Sequence, residues 1–258
     1  MIQDIYLILL WKCYKIVSGS NFEPLFLSIM IQPRISILDS NSMIELVITK
    51  DGSHTLYNPE LGVWHHSVHG AIQESRHIFI ELGLMKIAET KKQINIFEMG
   101  FGTGLNVLLT ALEALKNNFR IDYTTIEAFP LKKEEFEVLN YDTLLNTDLL
   151  QPIHLYPWNQ KSVLQEEFWL TKVKEDLLNY QFSQKIDLVY FDAYAPTAQP
   201  ELWSEEIFRK IYNAMNLGGI LTTYCSKSVV RKALQAAGFK VEKHPGPPFK
   251  REVLRAIK

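Results

Sequence analysis

The chain has 258 residues, 47% of them apolar and 22% charged, with a formal net charge of −2. Only 12 residues are glycine and 11 proline, so a disordered, collagen-like or low-complexity chain is excluded, and one large globular domain or two small ones remain. Two cysteines, Cys13 and Cys225, exclude a disulfide framework and a four-thiolate zinc site and make a reducing, cytoplasmic setting the default.

Residues 1–42 differ in texture from the rest. Ile5–Trp11 is an apolar run of seven followed by Lys12 and Lys15, and Phe22–Leu38 is apolar but broken by Pro24, Pro33 and Arg34. Neither approaches the roughly 20 residues of a membrane helix, and Asp4 sits where a signal peptide carries basic charge. No stable membrane association is expected. The segment reads as an N-terminal extension, a non-native or poorly ordered start, with the true start at Met43; a peripheral membrane anchor is the alternative.

From Met43 the pattern is regular. Ile44–Thr49 reads as a strand, Lys50–Ser53 as a turn, and Tyr57–Val63 as its hairpin partner. Gly70–Ala88 has helical spacing. Ile94–Met99 is a strand, followed by a glycine cluster and a helix over Leu105–Leu115. Ile121–Ile126 is a second strand and Leu131–Leu139 a helix. Residues 140–180 read as irregular up to Trp158 and helical from Ser162 to Leu178. Ile186–Phe191 is a strand too apolar to have a wet face. Glu205–Met215 is a helix stopped by Gly218-Gly219, Ile220–Tyr224 a strand, Val229–Ala237 a helix, and Lys240–Lys243 and Glu252–Ile257 close the chain as strands. Apolar strands alternating with helices predict an α/β fold, a mostly parallel sheet covered on both faces. The short Gly/Pro loop between the last two strands makes them an antiparallel hairpin.

The charge is uneven along this order. Residues 1–226 carry 18 Lys and Arg against 27 Asp and Glu, whereas residues 227–258 carry nine against two. A basic end on an acidic body points to an anionic partner, or to a solvated basic face.

The segment with most chemistry is Glu98-Met-Gly100-Phe-Gly102-Thr-Gly104-Leu-Asn106. It follows a strand and opens a helix, where residues without side chains let a ligand approach the backbone and the free N–H groups of the helix. Its spacing is not the G-x-G-x-x-G of dinucleotide sites. An acid two residues before G-x-G-x-G resembles the first motif of Rossmann-like, S-adenosylmethionine-dependent methyltransferases. Glu127 ends the second strand, placed to accept ribose hydroxyls. Asp192 ends the very apolar strand Ile186–Phe191, near the glycine loop, because ligands sit beyond the carboxyl ends of such strands. A structural turn is the competing reading at each of these positions.

Other candidates carry less. His65, His66 and His69 have metal-like spacing but no Cys or Asp partners, so surface or substrate-contact histidines are expected, and no metal. Cys225 reads as inert core. Ser67 and Ser226 lack a Gly-x-Ser-x-Gly context, which argues against a hydrolase. Tyr194, Trp203 and Phe249 are aromatics that either stack on a base or pack in the core.

Taken together, Glu98–Asn106, Phe191-Asp-Ala-Tyr-Ala-Pro196 with Pro200-Glu-Leu-Trp203, Lys250-Arg-Glu252 and Trp64–Phe79 resemble the family formed by the methyltransferase domain of the bifunctional tRNA-modification enzyme MnmC and its stand-alone form, MnmD. The likeness runs from about Met43 to Lys258. It implies a Rossmann-like methyltransferase domain over 43–258, S-adenosyl-L-methionine as cofactor, and methylation of the 5-aminomethyl group of the wobble (2-thio)uridine in the tRNA anticodon. It further implies that Glu98, Gly100, Gly102, Gly104, Glu127 and Asp176 serve the cofactor, that Asp192 faces the reacting amine, and that Glu74, Tyr194, Pro196, Lys250 and Arg251 serve the substrate. The flavin-dependent activity of MnmC is expected to be absent, so a separate enzyme would supply the aminomethyl substrate. Two features depart from the family: residues 1–42 have no counterpart, and Phe249 stands where glycine is expected. A methyltransferase of the same fold acting on another amine, a non-catalytic module of that fold and, least favoured, a nicotinamide oxidoreductase are the alternatives.

Overall fold

A computed structural model describes residues 34–36 and 44–258. The apolar runs Ile5–Trp11 and most of Phe22–Leu38, with Cys13 and the proposed start at Met43, lie outside the described residues. Of the expected 1–42 extension, only β1 (Arg34–Ser36) is described. It pairs antiparallel with β2 (Glu45–Ile48), so these three residues belong to a sheet. β3 (His54–Asn58) and β4 (Val63–Trp64) complete that small four-stranded sheet, in the order β1-β2-β3-β4.

A continuous helical run, α1, follows as Ala71–Ser75, a π-helical stretch Arg76–Met85, and Lys86–Ala88. The turn between β2 and β3 caps it: Asp51 Oδ2 accepts from Gln73 N at 2.9 Å and Ser53 Oγ from Ala71 N at 3.2 Å.

The main sheet holds β5 (Gln93–Met99), β6 (Arg120–Ile126), β7 (Gln160–Gln165), β8 (Phe168–Val173), β9 (Ile186–Phe191), β10 (Met215–Thr223), β11 (Lys240–Pro245) and β12 (Glu252–Ile257). Their order is β11-β12-β10-β9-β5-β6-β8-β7. The five strands from β10 to β8 are parallel; β12 is antiparallel to β11, as expected, and also to β10, and β7 is antiparallel to β8. All six residues of β9 are buried, because helices cover both faces. One face packs with α1 and α2 (Leu105–Asn117) around Ile78, Phe79, Leu108 and Tyr190. The other packs with α6 (Glu205–Ala214) and α7 (Ser228–Ala236) around Phe191, Phe208, Val230 and Leu234.

The hairpin partner of β2 is β3, not Tyr57–Val63, whose residues 59–62 form the turn into β4, and three further readings of local structure need correction. Ser162–Leu178 is not helical but holds the β7–β8 hairpin. Phe168, Leu170 and Lys172 alternate inward along β8, and a fully buried lysine hides that two-residue period. The helix expected over Leu131–Leu139 shrinks to α3 (Lys133–Phe136), and the stretch read as irregular holds α4 (Tyr141–Leu145) and α5 (Leu150–Leu155), with Pro152 tolerated in the first turn of α5. Gly218-Gly219 do not stop a helix. α6 already ends at Ala214, and the two glycines lie in the irregular start of β10, between Met215 paired to Ile186 and Ile220 paired to Leu188. No helix among the described residues is long and apolar enough to cross a membrane.

Candidate active site

The strand order reverses between β5 and β9: the chain leaves β5 for β6 on one side and later lays β9 on the other. At such a switch point the loops part and leave a crevice beyond the strand ends. Backbone bonds fix its floor. Asp192 N donates to Met99 O at 3.0 Å, Gly100 N to Ile126 O at 3.1 Å, and Glu127 N to Val173 O at 3.0 Å. Gly100 has φ 92°, and a Cβ there would meet the Asp192 carbonyl oxygen at 2.7 Å. No other residue type fits this crossing of loops.

The resulting cavity has a volume of about 610 Å³, within the range of small-molecule sites. Gly100, Gly102, Glu127, Asp176, Asp192 and Tyr194 all line it. Glu127 grips the glycine loop, accepting from Gly102 N at 3.2 Å and Phe129 N at 3.0 Å. Burial nevertheless holds its carboxyl above the usual carboxylate range, against the pull of those N–H groups. Asp192 accepts from Asn106 Nδ2 at 2.9 Å. Burial pushes its pKa up to about 7; the Asn106 bond and the Lys250 charge oppose the rise, and the Glu74 charge adds to it. A carboxyl poised there can take up or release a proton near neutrality.

The small sheet supplies the far wall. His65 Nε2 and the Tyr194 hydroxyl form a hydrogen bond of 3.0 Å, and His66 Nε2 and Thr103 Oγ1 one of 2.6 Å. Burial drives these imidazoles down to about 3 and about 4, so both are neutral. Among the described residues no group of three or more His, Cys, Asp or Glu is placed to hold a metal ion.

The remaining candidates fall elsewhere. Glu98 lies fully buried beneath the loop, not in the cavity wall. Neither of its oxygens meets a well-formed hydrogen bond. Burial pushes its pKa up to about 8; the polar groups of Thr125, Asn106 and Tyr123 beside it oppose the rise, and the Asp192 charge adds to it. Gly104 opens α2 and faces His154, and Pro196 and Arg251 also do not line the cavity. Trp203 is a core residue: it packs on Phe191 and Phe208, and its Nε1 donates to Tyr194 O at 2.8 Å. It is not free to stack on a base. Phe249 is exposed, with φ 72° and its ring stacked on His69. Glu74 and Lys250 meet in a separate hollow beside it, as an ion pair of 2.6 Å. Lys250 therefore turns inward, away from the exposed basic face. Cys225 is buried, as expected. Asn106 lines the cavity and holds Asp192, a part the sequence motif contains without announcing it; its place at the start of the helix after the glycine loop was the available signal.

Residues 140–258 match a family of S-adenosyl-L-methionine-dependent methyltransferases. The chain is 31% identical over 206 residues to the tRNA 5-methylaminomethyl-2-thiouridine biosynthesis bifunctional protein MnmC of Leptospira borgpetersenii, covering 73% of this chain and 31% of that protein. It is 30% identical over 216 residues to MnmC of Magnetococcus marinus, covering 79% and 32%. The chain thus spans about a third of the length of these relatives. The crystal structure of MNMC2 from Aquifex aeolicus superposes with a TM-score of 0.68 at 25% identity, over 98% of this chain and 83% of that one. A spermidine synthase shares the fold at TM-score 0.51 and 11% identity, over 87% and 71%. The chain belongs to the S-adenosyl-L-methionine-dependent methyltransferase family that includes the methyltransferase domain of MnmC.

Proposed function

We propose that this member of the family methylates the 5-aminomethyl group of the wobble (2-thio)uridine of tRNA, with residues 43–258 as the methyltransferase domain. The observation that carries the reading is Asp192: a carboxyl with a pKa near 7, oriented by Asn106, in a cavity walled by the glycine loop and Glu127. The relatives named above, biosynthetic proteins of a methylaminomethyl-uridine, supply the substrate class.

The residues fit the cofactor. A Cβ would meet the Asp192 carbonyl at Gly100 and His65 Nδ1, at 3.2 Å, at Gly102, so both glycines present bare backbone to the cavity; Glu127 is placed to accept from a ribose, and Asp176 lines the cavity for the adenine side. When bound, S-adenosyl-L-methionine supplies a methyl carbon on a sulfonium, open to in-line attack by an amine lone pair. The chain's own part is to position and to handle a proton. Asp192 accepts an N–H of the amine, aims its lone pair, and takes the proton that leaves, directly or through water. Tyr194, pinned by His65, stands in the wall of the same cavity. The exposed cations Lys227, after β10, and Arg251, before β12, lie at the ligand edge of the sheet, and Lys232 is exposed on α7, all available to RNA phosphates. A cytoplasmic location and a separate enzyme supplying the aminomethyl group go with this reading.

Purified protein given methyl-labelled cofactor and tRNA bearing 5-aminomethyl-2-thiouridine should place the label in 5-methylaminomethyl-2-thiouridine, read by nucleoside mass spectrometry. Label in no tRNA nucleoside would overturn the proposal.

A further inference from the structure

Lys250 stands in a surrounding that suits an amine rather than a phosphate-binding side chain. Its Nζ lies 2.6 Å from Glu74 Oε1 and 4.7 Å from the centre of the Tyr224 ring. Glu74 is buried, and its other oxygen accepts from Ser67 N at 3.1 Å, so its position does not depend on the lysine. Tyr224 is held by its hydroxyl, which donates at 2.9 Å to the carbonyl of Ala193, the neighbour of Asp192. Both Glu74 and Lys250 act electrostatically on Asp192.

One primary ammonium is therefore surrounded by a fixed carboxylate, an aromatic face and, in electrostatic reach, the Asp192 carboxyl. An alkylammonium needs these partners: acceptors for its N–H donors and a ring face for its charge. The backbone feeds the lysine in from a strained loop, since Phe249, just before it, holds φ 72°. The hollow also adjoins a larger one of about 520 Å³ through Gln73, Pro247 and Pro248, which leaves room for a bulky group carrying the amine.

We propose that Glu74 and Tyr224 receive the substrate's ammonium before it passes to Asp192 in the neighbouring cavity, and that Lys250 occupies that seat in the free enzyme as a tethered stand-in that withdraws when the substrate amine arrives. The proposal rests on the reading of the chain as an amine methyltransferase and adds to it the residues that select an amine and a built-in competitor for their site.

The test uses the full chain with S-adenosylhomocysteine and methylammonium chloride as probe, followed by line broadening of its labelled methyl group. Lys250→Met should bind the probe at least tenfold more tightly than the unaltered protein, and adding Glu74→Gln should remove that gain. Should Lys250→Met not fold, Lys250→Ser vacates the seat and allows the same comparison. In turnover, Lys250→Met should lower KM for the amine substrate. Equal probe affinity with and without Lys250, or a gain that survives Glu74→Gln, would overturn the proposal, as would a weakened tRNA affinity with no gain for methylammonium. Tighter methylammonium binding in a protein that labels no tRNA would support the seat and overturn the RNA substrate instead.

Discussion

Asp192 takes its character from its surroundings. A carboxyl on a loop tip titrates near 4, but this one reaches about 7 because burial outweighs the Asn106 bond. A base works only when deprotonated, so the single-turnover rate should rise with pH through about 7. Asp192→Asn should lower that rate roughly 100-fold and flatten the rising limb, without lowering the melting temperature. A folded Asn variant with a near-native rate would take Asp192 out of the reaction. Glu98 titrates in the same direction for a different use. Its pKa is raised to about 8, so the stability it contributes is complete below its ordinary value of 4.5 and is lost as pH rises through about 8. Glu98→Gln keeps the shape without the ionisation, and should melt at least about 3 °C above the unaltered protein at pH 8.5 while matching it more closely at pH 5. Asp192 and the glycine loop were legible because their chemistry follows from place, at the ends of apolar strands. The direction of Lys250 was not: a lysine in a basic run belongs on the surface by type, and only the buried Glu74, 176 residues away, turns it inward.

At the scale of elements, β5, β6 and β9 could be read directly: β5 and β9 are apolar along most of their length, and β6 is rich in β-branched and aromatic residues. The β7–β8 hairpin could not. Val163, Leu164, Phe168, Trp169, Leu170 and Val173 mimic helical spacing, and Lys172 interrupts the inward row that would have marked a strand. Among the described residues that lysine has no ion-pair partner: it donates to His154 O at 2.5 Å and lies over the rings of Trp158 and Phe101. The small sheet's role as a wall was equally hidden, because nothing in Val63–His66 announces that it folds over a loop some forty residues on. The loop from Gly246 to Arg251 offers a local test. Phe249 holds a left-handed backbone, which costs about 1–2 kcal/mol. Its ring, stacked on His69 and 4.1 Å from the Lys50 ammonium, returns a comparable amount. Phe249→Gly relieves the strain and removes the ring, so its melting temperature should stay within about 2 °C of the parent. Phe249→Ala removes the ring and keeps the strain, and should melt below the glycine variant. The reverse order would show that the loop relaxes once the ring is gone.

Over the whole molecule, the basic end divides in two. Lys243 pairs with Glu252 at 2.8 Å, Arg255 with Glu242 at 2.9 Å, and Lys258 caps carbonyl oxygens of Tyr212 and Met215, so these cations brace the last hairpin. Lys227 and Arg251 are exposed where β10 ends and β12 begins, at the ligand edge, and Lys232 is exposed on α7. Replacing these three by alanine should weaken tRNA binding and lower the slope of log affinity against log salt by roughly 0.9 for each phosphate no longer neutralised, with cofactor affinity unchanged. An equal weakening at every salt concentration would assign the three to shape rather than charge. The reversal of strand order has a consequence in time as well as in space. β5 and β6 are near neighbours in the chain, whereas β9, which pairs with β5 from the other side, begins at Ile186, long after β5 ends at Met99. Closing that long loop delays the β5–β9 pairing relative to the local hairpins and helices. The crevice between them is then among the last features to form. During refolding, far-ultraviolet circular dichroism should recover first and affinity for S-adenosylhomocysteine in a later, slower phase, so that a half-folded chain carries most of its helices and strands yet has nowhere to put a nucleoside.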